Sequence, residues 1–234
     1  MINVFNFSGG RTSAYMVLKY YKKHDLVIFT DTGREHINTY KFIDDFENIE
    51  KIPIIKLKYN GGFENLIKNK KMLPNIMMRF CTIELKIKTA RRYLRSINLN
   101  SYNNIIGFRH DEQNRINNYK EHWKKVKTLF PLNEEKISKI DILNFWNNKK
   151  YNLEIPSILS NCDLCFLKGK NNIISILRDY PELADKWIKD ENLINATYIK
   201  NYSYSKMLYL SKLPYTKQLD LFNLTPSFNC SCTN

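Results

Sequence analysis

The chain has 234 residues, 43% of them hydrophobic and 13% aromatic, which is enough to bury one sizeable core and a small second lobe and excludes global disorder. Thirty-seven Lys and Arg against 23 Asp and Glu leave a formal charge of +14, so nucleotides and nucleic acid are the first partners to consider, although general Lys and Asn enrichment would give the same charge. No window approaches the roughly 20 apolar residues of a membrane span, and five cysteines without a secretory signal suit thiols, metal ligands or catalysis better than disulfides, so a cytoplasmic protein without membrane contact is expected.

Residues 2–7 alternate apolar side chains with Asn and stop at Ser8, Gly9 and Gly10. Ala14, Met16, Val17, Leu18 and Tyr21 then recur at helical intervals, which gives a strand, a glycine turn and a helix. Residues 26–29 form a second apolar run, closed by Asp31, Thr32 and Gly33 and followed by a helical stretch through Tyr40, Phe42, Ile43 and Phe46. Residues 52–57 predict a third strand, 87–94 a helix, and 104–108 a fourth strand. This alternation implies βαβ units and a mostly parallel sheet whose ligands lie at the carboxyl ends of its strands. From about residue 131 the pattern becomes helical, over 139–146 and 173–188 among others, with a soft boundary near 135 separating a domain of 1–135 from a helical region of 136–234.

Three constellations carry chemistry. Phe7, Ser8, Gly9, Gly10, Arg11, Thr12 and Ser13 stand at a strand-to-helix junction, where glycines let the backbone approach a phosphate and hydroxyls and free amides donate to it. The GxxxxGK[ST] spacing of the Walker loop is absent. Cys162 and Cys165 form a C-x-x-C and Cys230 and Cys232 a C-x-C, two close pairs of the kind that bring four thiolates to one ion or cluster. Zinc and iron–sulfur both suit such a set. Tyr198, Tyr202, Tyr204 and Tyr209, interleaved with Lys200, Lys206 and Lys212, suit either base stacking or a packing face, and of the four histidines His110 alone lies in a polar motif that could touch substrate.

Ser8-Gly9-Gly10 with Ser13 resembles the PP-loop of the adenine nucleotide α-hydrolase-like superfamily, in its PAPS reductase-like branch. Asp31-Thr32-Gly33-Arg34-Glu35 with Thr39 and Phe42, Arg79-Phe80-Cys81-Thr82 with Leu85-Lys86-Ile87, and Gly107 to Glu112 with Arg115 resemble three further elements of that branch, in its order. The resemblance implies a Rossmann-like HUP-type α/β fold with helices on both faces of the sheet. It also implies binding of ATP, APS or PAPS by residues 7–13, by Asp31, Thr32, Gly33 and Glu35, and by Gly107 and Arg109. Lys86, Arg109 and Arg115 could charge-stabilise the α-phosphate, with Mg²⁺ on the phosphates and Asp31 or Glu35 as carboxylate contacts. Glu112 could orient an arginine. Where the more familiar PP-loop pyrophosphatases carry Asp, this chain has Arg11 or Thr12, and Gln113 stands where Ser is frequent.

Two reactions fit the resemblance. In one, ATP is cleaved between its α- and β-phosphates to adenylylate a substrate for sulfur transfer or nucleic-acid modification, which calls for a sulfur donor. In the other, a cysteine attacks the sulfur of APS or PAPS with thioredoxin as partner. Residues 229–233 match the reductase tail motif only in part. A non-catalytic nucleotide sensor or partner-dependent subunit is the third reading. Cys81, matching one of a cysteine pair that holds a [4Fe-4S] cluster in APS reductases, is either a cluster ligand or a reactive thiol near the nucleotide.

Overall fold

The structure, a computed structural model, describes residues 1–120, 123–156, 158–159 and 162–214. In chain order the elements are β1 (Asn3–Phe7), α1 (Arg11–Tyr20), β2 (Leu26–Asp31), α2 (Ile37–Glu50), β3 (Ile55–Lys58) and α3 (Gly62–Lys70). A π-helical stretch, Thr82–Ile87, runs into α4 (Lys88–Ser96), and β4 (Tyr102–Ile105), α5 (Gln113–Asn117), β5 (Val126–Leu129), α6 (Pro131–Glu134) and α7 (Lys139–Asn147) follow. The last helices are α8 (Gly169–Asp179), α9 (Ala184–Ile194) and α10 (Tyr204–Ser211). The fold is α/β: five parallel strands in the order β3-β2-β1-β4-β5, flanked by helices.

Alternation along each strand decides which helices cover which face. Phe5, Phe7, Val27, Phe29 and Ile105 point to one side, where Ala14, Met16 and Val17 of α1, Phe42, Ile43 and Phe46 of α2, and Ile142 and Trp146 of α7 bury them. Val4, Ile28, Tyr102 and Val126 point to the other, beneath Leu94 of α4. A further core joins Phe63, Leu66 and Ile67 of α3 to Ile173, Ile176 and Leu177 of α8, Trp187 of α9, and Tyr204 and Met207 of α10. Trp146 locks α7 to the start of α1 by donating from Nε1 to the Arg11 carbonyl at 2.9 Å.

The run at 173–188 divides into α8 and α9 because Pro181 has no amide proton and disfavours helical backbone at Tyr180, whose φ is −136°. β4 begins two residues earlier than the sequence pattern suggests and ends at Ile105, which frees 106–108 to turn into the crevice. β5 carries no sequence signal of its own, being four residues long with Lys127 inside it, and it is held by pairing with β4 from Tyr102↔Val126 to Ile105↔Leu129. Among the described residues no helix is long and apolar enough to cross a membrane.

Candidate functional site

The chain steps outward from β1 to β2 and β3, then returns to the far side of β1 with β4 and β5. The reversal leaves a crevice beyond the carboxyl ends of β1 and β4, the place where open α/β sheets hold ligands.

The loop after β1 is fixed by its glycines. Gly9 has φ +74°, and a Cβ there would stand 2.6 Å from Thr39 Cγ2 of α2. Gly10 caps α1 without a side-chain hydrogen bond. Ser13 Oγ closes the loop: it accepts from the Ser8 amide at 3.1 Å, lies 3.0 Å from Ser8 Oγ and donates to the Gly10 carbonyl at 2.9 Å. The result is a helix N-terminus without a side-chain cap, under a glycine loop, which is a ready anion site.

The loop after β4 crosses this cradle. Gly107 lies over α1, where a Cβ would approach Ser13 Cα to 3.7 Å. Arg109, 4% exposed, donates from Nη1 to Thr12 Oγ1 at 3.1 Å and from Nε to Asp111 Oδ1 at 2.9 Å. Glu112 stands between two arginines, 3.5 Å from Arg109 Nη1 through Oε2 and ion-paired with Arg115 through Oε1. The Arg115 guanidinium in turn lies 4.1 Å from the centre of the Phe108 ring. Glu112 thus orients both arginines.

The loop after β2 supplies the third wall. One Asp31 oxygen accepts from the Gly33 amide and the Tyr40 hydroxyl, both at 2.7 Å, and the other lies 3.7 Å from Lys58 Nζ. Glu35 is buried, accepts from Thr32 Oγ1 at 3.0 Å and faces Lys86 Nζ at 3.6 Å through the same Oε1. Its Oε2, like Thr39 Oγ1, is buried without a hydrogen-bond partner. Lys86 lies on the π-helical stretch, a local widening of a kind frequent at functional sites. Arg34 turns away, ion-paired with buried Asp190 and packed 4.8 Å from the Phe63 ring and 5.6 Å from Trp187. That pair ties the β2 loop to α9.

Cys81 directly precedes the π-helical stretch, and burial, then the neighbouring Cys162, pushes its thiol pKa up. Cys162 forms a bridge with Glu35, and the Asp163 amide donates to the Arg34 carbonyl at 3.2 Å. Cys165 is buried in the core shared by α3 and α8–α10, and both Cys81 and Cys162 pack against it. Cys230 and Cys232 lie outside the described residues. Among the described residues no group of three or more His, Cys, Asp or Glu is placed to hold a metal ion.

The crevice therefore gathers Ser8, Gly9, Gly10, Thr12, Ser13, Gly107, Arg109 and Arg115, and the loop holding Asp31, Thr32, Gly33 and Glu35, with Lys86 of the π-helical stretch facing Glu35, stands beside it. Arg11 departs from this set: its Nε donates to Asn152 Oδ1 at 2.7 Å and Nη2 bonds the Leu153 carbonyl, leaving its backbone in the cradle. The Phe7 side chain is core. His110 is exposed, 3.3 Å from Asn133 Oδ1. Sequence reasoning missed Asn152, the Tyr40 hydroxyl on Asp31, and Asn6, an exposed residue on the central strand. An Asn in the middle of an apolar strand was the available signal for the last.

A parallel sheet with a glycine cradle at its switch point, crossed by an arginine loop, defines a PP-loop protein of the α/β class. More narrowly, the chain belongs to the phosphoadenosine phosphosulfate reductase domain family, which it matches over residues 2–152. It is similar to the uncharacterized nin region protein ORF290 of Escherichia phage lambda, with 30% identity over 205 residues, covering 74% of this chain and 68% of the relative. A crystal structure of phosphoadenylyl-sulfate (PAPS) reductase from Candida auris, a phosphate complex, superposes with a TM-score of 0.45 at 16% identity, covering 65% of this chain and 76% of that one. That likeness is too slight to bear on function.

Proposed function

We propose that this protein binds ATP with its phosphates in the Ser8–Ser13 cradle and acts at the α-phosphate, transferring the adenylyl group to a substrate. The observation that carries the reading is the placement of Arg109 on Thr12, a fixed cation at the uncapped start of α1 and at the switch point of the sheet. Phosphate oxygens replace the Thr12 hydroxyl as partner of Arg109. Lys86 and Arg115 add positive charge where it develops on the α-phosphate as a substrate oxygen attacks and pyrophosphate leaves with the bonding electrons. No side chain acts as nucleophile in this step, so the protein contributes position and charge. A sulfur donor that later displaces AMP would complete a thiolation, with nucleic acid among the acceptors that the net charge of +14 favours. Magnesium suits oxygen donors, and Asp31, which now lies 3.7 Å from Lys58 Nζ, and buried Glu35 are the carboxylates that would hold it beside the nucleotide phosphates.

Incubation with ATP labelled at the α-phosphate tests this reading. AMP and pyrophosphate support it, whereas ADP and phosphate, or sulfite released from PAPS in the presence of thioredoxin, oppose it. The reductase reading has the family in its favour, but it needs a tail cysteine, Cys230 or Cys232, as nucleophile, and residues 229–233 match the reductase tail motif only in part.

The metal proposal is separate. Cys162 and Cys165, with Cys230 and Cys232, would hold zinc or a [4Fe-4S] cluster as a structural group, and the described residues supply only part of such a set. Deleting residues 230–234 should remove the metal and lower the melting temperature together. Retention of metal in Cys81→Ser would leave Cys81 as a thiol, and its loss would make Cys81 a ligand.

A further inference from the structure

The two faces of the sheet are covered unequally. One is apolar around the switch point, at Phe5, Phe7, Phe29 and Ile105, with Asn3, Asn103 and Lys127 on the same face farther down the strands. On the other, Leu94 of α4 packs with Val4, Ile28, Tyr102 and Val126, and toward the cradle β1, β4 and β5 present the polar side chains Asn6, Asn104 and Thr128. Asn6 is exposed although β1 is flanked by paired strands on both sides, and Asn104 and Thr128 sit beside it on β4 and β5. An exposed amide on a central strand is a floor with nothing of the described chain above it.

The hydrogen bonds of this floor fix its polarity. Asn6 Nδ2 donates to Asn104 Oδ1 at 2.6 Å and to the Ile105 carbonyl at 3.1 Å, so both of its protons are spent. Asn104 Nδ2 donates to the Tyr119 hydroxyl at 3.3 Å and to Thr128 Oγ1 at 3.2 Å, and those two oxygens lie 3.1 Å apart. The carbonyl of Ile105 cannot donate, so the Asn6 amide cannot be reversed, and Oδ1 is the atom it offers outward. An uncharged acceptor here selects a donor. At the rim, Phe108 and Phe130 stack at 5.4 Å with Tyr119 edge-on at 5.4 Å from Phe130, which gives flat apolar surface beside the polar floor.

We infer that this floor seats a nucleobase bearing an exocyclic amino group, which donates to Asn6 Oδ1, and that it rejects the oxo counterpart of the same base. The inference rests on the proposed nucleotide site, with which the floor is continuous through Phe7 and Ser8. The chemistry suits the adenine of the bound nucleotide or an amino-bearing base of the acceptor. An oxo group would set oxygen against oxygen, and one such mismatch is worth about tenfold or more in affinity.

The test compares the wild-type protein with Asn6→Leu and Asn104→Leu by titration calorimetry, each variant checked for an unchanged fold by circular dichroism. The probes are ATP, ITP and tripolyphosphate, and then adenosine and inosine in the presence of a non-hydrolysable ATP analogue. If the seat holds the nucleotide's own base, ATP binds the wild type about tenfold more tightly than ITP, Asn6→Leu abolishes the preference, and tripolyphosphate binding is unchanged. If it holds the acceptor's base, the same loss of preference appears between adenosine and inosine, with ATP affinity unaltered. Equal preferences in wild type and both variants for both pairs of probes would overturn the inference while leaving the phosphate cradle intact. Failure of the wild type to bind ATP or tripolyphosphate at all would instead remove the nucleotide site on which it rests.

Discussion

Arg109 Nη1 donates to Thr12 Oγ1 at 3.1 Å, so a cation on the loop after β4 is anchored on the first turn of the helix that follows β1. The contact spans the switch point of the sheet, and Asp111 and Glu112 hold the same guanidinium from the other side. A charge fixed in this way costs little reorganisation when negative charge grows next to it.

Arg109→Lys should therefore lower kcat by about 100-fold while weakening nucleotide binding by less than tenfold, because the interaction strengthens as charge develops on the phosphate. Steady-state kinetics with binding titration would separate the two effects. An equal loss in kcat for Lys→Met at exposed Lys212 would remove the special role of Arg109.

Lys86 and Glu35 make a second test. Glu35 is buried, and its Oε1 lies 3.6 Å from Lys86 Nζ. Lys86→Met should destabilise the fold by about 3 kcal/mol by leaving a buried carboxylate without its cation, and adding Glu35→Gln should recover much of that loss. Urea unfolding of the single and double variants reads the coupling, and additive losses would show the pair to be independent.

Glu191 predicts a pH dependence. Its two oxygens accept from the Tyr198 and Tyr204 amides at 3.2 and 2.7 Å, yet burial raises its pKa above the usual carboxylate range. The folded state therefore binds this proton more tightly than the unfolded state, and the stability from Glu191 is present at low pH and falls as pH rises from about 4 through the raised value. Glu191→Gln removes this term, so the unfolding free energy of the wild type minus that of the variant should fall between pH 4.5 and pH 7.5. A difference that rises over that range contradicts the assignment.

Much of this was legible in the sequence wherever a backbone requirement forces a residue choice. The glycine turn after residue 7 marked the cradle because positive φ and the approach of Thr39 leave no room for a side chain at Gly9. The strands around the switch point were visible as apolar runs, whereas β5 was not, since its place depends on long-range pairing with β4 rather than on its own four residues. Arg11 and Arg109 looked alike as cations near the loop. Only the tertiary positions of Asn152 and Leu153 draw the Arg11 side chain away and only Thr12 and Asp111 hold Arg109 in place. The Arg34–Asp190 pair joins residues 156 positions apart, beyond the reach of any local pattern.

The central claim is that nucleotide phosphates lie against the backbone of residues 8–13, and calorimetric titration of ATP into wild type and Gly9→Val tests it most directly. A side chain at Gly9 meets Thr39 Cγ2 at 2.6 Å and φ is +74°, so the variant must distort the loop at a cost of about 1–3 kcal/mol, and the measurement is made well below its melting temperature. The account predicts saturable ATP binding by the wild type and none detectable in the folded variant. Equal affinity in the two proteins would contradict it.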